Sequence, residues 1–328
     1  MGRISYLIKN GNQAMITDIK INKPAPIATN NKIKTFKNNN NVRSTIEALE
    51  AGKPILIKEF YSNGISLLQD LHKHLKLKLP NKSFKEQREY RSVYHQLSNL
   101  ILIEITDQKL SVKKSPTIGW LEKFYPDNNS FLLTFPQVQG LNSSWQWYQN
   151  GITIPVLRNK VHPYYGVYFP TRFEHLEVFD NWLKRYRGPK KSAIDVGFGS
   201  GVLSFQMIKY GFQKVFGTDI NPNAIVGLSK FMGNTKLSRK VDLDFASLFG
   251  KFEKQTELIV FNPPWLPASF NPENIDGAIY YTEKLFSDFF AGAKQRLLPE
   301  GKLLLLFSNL AQITNLTKEH PIEKELAE

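Results

Sequence analysis

The strongest constraint on this chain is the alternation that starts at Ser192. The strand-like AIDVG (193–197) gives way to a helical stretch ending near Tyr210. Then come KVFGTDI (214–220), a helix over 224–232, KVDLDF (240–245), ELIVF (257–261), a long helix around 278–298 and KLLLLFS (302–308). The strands are runs of Val, Ile, Leu and Phe with little polar alternation, so both of their faces are buried. Strands of that kind separated by helices form a parallel sheet with crossover helices on each side. The expected fold class is α/β with a mostly parallel sheet, occupying residues 161–328.

The first half has a different texture. ISYLI and AMITDI bracket the turn-forming Asn10-Gly11-Asn12 and predict a hairpin over 4–19. Residues 23–41 carry two prolines and end in four consecutive asparagines, the pattern of an exposed loop or linker. A short helix over 42–51 stops at Gly52 and Pro54, and an apolar strand follows over 55–60. Helical spacing over 67–77 and 84–98 precedes a strand at 100–105. Residues 1–130 thus read as a smaller α+β domain. Over 131–160 aromatic, strand-like segments with turns at Gly140-Leu141-Asn142 and Asn150-Gly151 predict a β-rich bridge between the domains. Trp145, Trp147 and Tyr148 in that bridge suit a base-stacking surface, but alternating aromatics on a sheet are more often core.

Composition narrows the chemistry. The 328 residues contain no cysteine, which removes disulfides, thiolate metal sites and cysteine nucleophiles together. The six histidines show no metal-ligand spacing, so no metal is expected. No apolar run is long enough to cross a bilayer, and the amino terminus lacks the signal-peptide pattern, so the expected location is cytoplasmic. The formal net charge is +14, and residues 1–156 hold 21 Lys and Arg against 11 Asp and Glu. A basic half of that kind favours RNA or the ribosome as partner, with DNA or a protein as other possibilities. The plain alternative is a solvated lysine face. Nothing in the sequence speaks to oligomeric state.

Three motifs fall at strand ends. Asp195-Val196-Gly197-Phe198-Gly199-Ser200-Gly201 closes a strand and opens a helix, where glycines let backbone amides approach a ligand without Cβ obstruction. Val202 stands where a dinucleotide fingerprint requires its third glycine, so the spacing is G-x-G-x-G instead. Asp219 ends the next strand, placed to accept both hydroxyls of a ribose, and Asn221-Pro222 caps the helix after it. Asn262-Pro263-Pro264-Trp265 follows the fourth strand. Its prolines stop the strand and stiffen the turn, so Asn262 and the Pro263 carbonyl are held ready to accept two hydrogen bonds from one NH2 group, and Trp265 can stack on the plane bearing it.

On these motifs residues 160–310 resemble the class I S-adenosylmethionine-dependent methyltransferases, a Rossmann-like fold. The nearest group carries an NPPY-type motif and includes HemK-like protein glutamine methyltransferases and ribosomal RNA N-methyltransferases. The resemblance implies S-adenosylmethionine as cofactor. Its methionine end is held by Asp195, Gly197, Phe198, Gly199 and Gly201, and its ribose by Asp219 beside Ile220. The target amine is held by Asn262, Pro263, Pro264 and Trp265. Residues 166–176, GVYFPTRFEHL, resemble the HemK-type segment before the first helix, with Pro170, Arg172 and Glu174 in its substrate-side positions. Where the group has Ser-Asp-Leu-Phe for the adenine amine this chain has Ala246-Ser247-Leu248-Phe249, which leaves Asp244 or Ser247 for that contact. Trp replaces the usual Tyr or Phe at 265. After Ser308 there is room for one helix including 318–327, so either the terminal hairpin of the resembled fold is absent or the sequence is a truncated form. The implied reaction is transfer of a methyl group to a planar NH2, with an exocyclic base amine of RNA or DNA favoured. A protein glutamine and a catalytically silent, cofactor-binding scaffold are the alternatives.

Overall fold

The computed structural model describes residues 4–10, 13–29, 33–37, 40–79, 84–233, 235–268 and 280–327. An antiparallel hairpin comes first, β1 (Ile4–Asn10) and β2 (Gln13–Ile19), with Ile4 opposite Ile19 and Asn10 opposite Gln13. Gly11 and Asn12 of the expected turn lie outside the described residues. The chain then divides into two units, one of Lys23–Gln146 and one in which Trp147–Glu328 is joined by the hairpin. The hairpin therefore groups with the later residues and not with the first 130.

The first unit contains β3 (Lys34–Phe36), α1 (Val42–Glu50), β4 (Ile55–Ile57), α2 (Tyr61–Lys78), α3 (Phe84–Ser98), β5 (Ile101–Thr106), β6 (Lys109–Leu110), α4 (Gly119–Phe124) and β7 (Ser130–Thr134). Its sheet is mixed: β3, β4 and β5 run parallel, and β6 and β7 pair antiparallel with β5. Alternation sorts the two faces. Ile55, Ile57, Ile101, Ile103 and Ile105 are wholly buried on one, and Leu56, Leu102 and Leu132 cluster on the other. The stretch 23–41 is more than the expected linker, because it supplies β3 and because Ile27 exchanges backbone hydrogen bonds with Leu132 at 2.8 and 2.9 Å. Those partners are distant in sequence, so local composition gives no sign of them.

Of the expected β-rich bridge over 131–160, residues 131–134 belong to β7 and Ile152 forms an antiparallel bridge with Val161, but the middle is a helix, α5 (Phe135–Asn150). Its start is a capping box: the Thr134 hydroxyl accepts the Gln137 N–H at 3.3 Å and the Gln137 side chain accepts the Thr134 N–H at 3.1 Å. Pro136 sits in the first turn, where its missing N–H costs nothing. Phe135, Val138 and Leu141 are buried at helical spacing. The three aromatics therefore do not alternate across a sheet. Trp145 packs edge-on against Trp120 at 5.2 Å, Trp147 lies 5.8 Å from Phe169, and Tyr148 meets Tyr164 edge-on at 5.9 Å.

The second unit continues with α6 (Glu174–Arg185), β8 (Ser192–Val196), α7 (Val202–Lys209), β9 (Lys214–Asp219), α8 (Pro222–Met232), β10 (Val241–Phe245), β11 (Thr256–Phe261), β12 (Leu266–Pro267), β13 (Tyr280–Tyr281), α9 (Leu285–Arg296), β14 (Leu297–Leu305), α10 (Leu310–Ile313) and α11 (Pro321–Ala327). Five strands make one wholly parallel sheet in the order β10-β9-β8-β11-β14. Helix α9 is shorter than the expected 278–298 because Leu297 already belongs to β14; residues 278 and 279 lie outside the described set. No strand follows β14 among the described residues. The strand order reverses between β8 and β11, and in open parallel sheets ligands bind outside the carboxyl ends at such a point. No described helix is long and apolar enough to cross a membrane.

Candidate active site

Sheet register brings the three motifs together. Val196 stands opposite Phe261 on one side and Thr218 on the other, and Asp219 stands opposite Phe245. The chain therefore leaves β8, β9, β10 and β11 side by side, with the glycine loop, Asp219, Phe245 and Asn262 along one edge.

Gly197, Gly199 and Gly201 have φ of 66°, 52° and 82°, the left-handed region that glycine enters without strain. A Cβ on Gly199 would lie 3.3 Å from the Tyr168 carbonyl oxygen, and one on Gly201 would come within 2.8 Å of Leu228. Asp219 anchors this loop from the next strand: its Oδ2 accepts the Gly199 N–H and its Oδ1 the Asn221 N–H, each at 2.8 Å. The Ile220 N–H also donates to this carboxylate, whose two oxygens together keep acceptor capacity for a ligand hydroxyl. Burial raises the Asp219 pKa, and the backbone donors oppose the rise.

Asp195 lies beneath the loop. It is fully buried, its Oδ2 accepts the Ser204 hydroxyl from α7 at 2.5 Å, and its Oδ1 has no partner among the described residues. Burial pushes its pKa up to about 7 against the Ser204 hydrogen bonds, with the Asp219 charge adding to the rise. The side chain thus fastens the loop to α7 from below.

After β11, Asn262 is half-buried and its Oδ1 is a buried acceptor with no hydrogen-bond partner among the described residues. Leaving such an oxygen unpaired costs free energy, so it marks a place where a donor belongs. Pro263 is buried and Pro264 half-buried. Trp265 is tied down from two directions: its indole N–H donates to the Leu306 carbonyl at 3.3 Å, and the His175 ring meets it edge-on at 6.1 Å. Burial lowers the His175 pKa while Glu174 opposes that shift, which favours the neutral imidazole.

The candidate adenine contacts are placed differently from one another. Asp244 is buried and turned back to its own loop, accepting the Lys251 N–H at 3.1 Å and pairing with the Lys251 ammonium at 3.3 Å. Ser247 is exposed. Ile220 and Phe245, at adjacent strand ends, are 59% and 48% exposed, an apolar surface of the kind a purine covers. Sequence reading missed Phe245, although an aromatic directly after a strand's last acid is the available signal. Tyr168, also missed, is exposed beside the glycine loop. Of the upstream segment, Pro170 is buried while Arg172 and Glu174 are exposed.

A five-stranded parallel sheet with a G-x-G-x-G loop, a following acid and an Asn-Pro-Pro-aromatic turn at its switch point is the arrangement of the class I S-adenosylmethionine-dependent methyltransferases, to which this domain is similar. The residues fit that cofactor: the left-handed glycines bring the loop backbone close to Tyr168 and Leu228 where a side chain would not fit, Asp219 offers acceptor capacity for a ribose, and Ile220 with Phe245 offers an apolar patch. Residues 177–262 match the family described as ribosomal protein L11 methyltransferase (PrmA). A Methanocaldococcus jannaschii protein named as a protein N5-glutamine methyltransferase is 38% identical over 133 residues, 40% of this chain and 61% of that protein. A Lachnospira eligens ribosomal protein L11 methyltransferase is 38% identical over 58 residues, 18% of each chain. The solved L11 methylase of Lactobacillus delbrueckii subsp. bulgaricus is 19% identical with a TM-score of 0.37, over 53% of this chain and 77% of that one. The chain thus spans less than two thirds of the length of the curated relatives it matches.

Proposed function

We propose that the protein is an S-adenosylmethionine-dependent N-methyltransferase acting on a planar NH2 group. The observation that carries this reading is the unpartnered, buried Oδ1 of Asn262. An amide or base amine brings two N–H donors and a delocalised lone pair, and it needs both donors engaged to become a better nucleophile. Asn262 Oδ1 and the Pro263 carbonyl accept those two hydrogen bonds and hold the nitrogen in the pyramidal geometry of the transition state. The rigid Pro263-Pro264 turn fixes their spacing, and the Trp265 indole stacks on the acceptor plane and sheds its water. When bound, S-adenosylmethionine supplies a sulfonium methyl that needs no further activation. The acceptor nitrogen loses a proton to solvent once its new bond to carbon has formed. The silent scaffold is disfavoured, because the Asn262-Pro263-Pro264-Trp265 motif is intact.

For the acceptor class we favour a side-chain amide of a protein, supported by the relative named for protein N5-glutamine methylation; the relative named for ribosomal protein L11 supports a protein acceptor without specifying the group. A base amine of RNA is the second reading, supported by the excess of Lys and Arg in residues 1–156. The test is incubation of the full chain with methyl-labelled S-adenosylmethionine and separate protein, RNA and DNA fractions. Label recovered as N-methylglutamine after enzymatic proteolysis, which leaves the side-chain amide intact, supports the first reading, and label in RNA supports the second. Labelling of none, by protein that binds the cofactor, contradicts both.

A further inference from the structure

One asparagine at the end of β9 uses both ends of its amide. The Oδ1 of Asn221 accepts the Asn223 N–H at 3.0 Å and caps α8. Its Nδ2 donates to the Gly166 carbonyl, 55 residues earlier, at 2.7 Å. Asn223, wholly buried, extends the seam. Its Nδ2 donates to the Tyr165 carbonyl at 2.6 Å and to the Asn22 carbonyl at 2.8 Å, and its Oδ1 accepts the Asn22 N–H at 2.8 Å. Segment 165–170 has no helix or strand of its own, so its carbonyls take these side-chain donors in place of a ladder.

The held segment runs along the glycine loop. The Tyr168 carbonyl lies 3.3 Å from the place a Gly199 Cβ would occupy, the Gly199 N–H donates to Asp219, and Asp219 in turn accepts the Asn221 N–H. Glycine loop, ribose acid, helix cap and upstream segment therefore form one closed circuit. We infer that Asn221 is a positioning residue that clamps segment 166–170 against the cofactor loop, so that it governs how tightly and how long the cofactor is held. This rests on the reading that the loop binds S-adenosylmethionine. A wall that opens part of the time lowers apparent affinity by the fraction of time it is open, and the loss falls mainly on the dissociation rate.

The cap and the clamp can be separated by substitution. Asn221→Ser keeps a good cap acceptor for the Asn223 N–H but has no amide to reach Gly166. Asn221→Asp also keeps the cap, yet it presents an oxygen to the Gly166 carbonyl. The experiment measures affinity and dissociation rate of S-adenosylmethionine for the full-length wild type and both variants, together with their thermal unfolding without ligand. The clamp predicts near-wild-type unfolding temperatures, affinity about three- to tenfold weaker in both variants, and faster dissociation accounting for the change. Wild-type affinity in both variants overturns it, as does a loss confined to Asn221→Ser that tracks lowered stability, which would make Asn221 a cap alone. A wild type that binds no S-adenosylmethionine overturns the cofactor reading before the clamp is reached.

Discussion

In the first unit β3, β4 and β5 run parallel, as β8, β9 and β11 do in the second, yet the groups at their carboxyl ends differ. Around the end of β4 polar groups close on one another. The Lys58 ammonium meets the Glu104 carboxylate at 2.7 Å, the Asn63 amide donates to the Lys58 carbonyl at 2.9 Å, and the Lys113 N–H donates to the Glu59 carbonyl at 2.7 Å. At the ends of β8 and β11, three glycines hold the chain in the left-handed region and the Asn262 Oδ1 is left without a partner among the described residues. A parallel sheet supplies a crevice in either case. What makes one crevice a candidate for chemistry is the polar capacity that the fold leaves unspent.

The largest effect expected to test this contrast is at Asn262. Asn262→Ala should lower turnover on the order of a hundredfold while leaving cofactor affinity nearly unchanged, since the lost hydrogen bond belongs to the transition state. Steady-state kinetics with calorimetric titration of the cofactor would check it, and normal turnover would erase the distinction between the two sheets.

Asp195 sharpens the comparison through stability. A carboxyl whose pKa is raised on folding resists ionisation in the folded state, so its penalty is absent below about pH 4, grows as pH rises and is complete above about 7. Asp195→Asn should therefore match the wild type near pH 5 more closely than at pH 8, where it should be more stable by up to about 4 kcal/mol, about 1.4 kcal/mol for each unit of the rise. Denaturant unfolding at the two pH values reads this directly, and a pH-independent difference would contradict the buried-acid account.

Asp219→Ala removes a carboxylate shared by the backbone amides of Gly199, Ile220 and Asn221 and, on our reading, by the ribose. Cofactor affinity should fall about tenfold or more, the size of a charge-assisted hydrogen bond. Unchanged affinity by titration would detach Asp219 from the cofactor. The smallest effect belongs to the first unit: Glu104→Ala breaks a pair that is a quarter to a third exposed, so it should cost about 1 kcal/mol or less and leave cofactor affinity as it was. A large loss of affinity there would mean that the first unit is not chemically quiet.

The candidate site could be proposed from sequence wherever its signal was local. Glycine spacing, an acid at a strand end and a Pro-Pro turn after an apolar run each express a short-range backbone requirement, so Gly197, Asp219 and Asn262 could be picked from neighbours alone. Helix α5 was also legible in principle, through Thr134 and Gln137 three residues apart, but its aromatics drew attention to a strand pattern instead.

What the sequence by itself determined is the alternation of strands and helices from Ser192 onward, the loops at the strand ends and the chemistry those loops admit, because period and turn geometry are written within a few residues. Only the tertiary structure decided that the amino-terminal hairpin joins the second unit, that Asp244 pairs with Lys251, that Phe245 stays exposed at the strand end next to that of Ile220, and that Asn221 reaches Gly166. Each of these depends on which groups meet after the chain has crossed the sheet, and a hydrogen bond between residues 55 positions apart leaves no trace in local spacing.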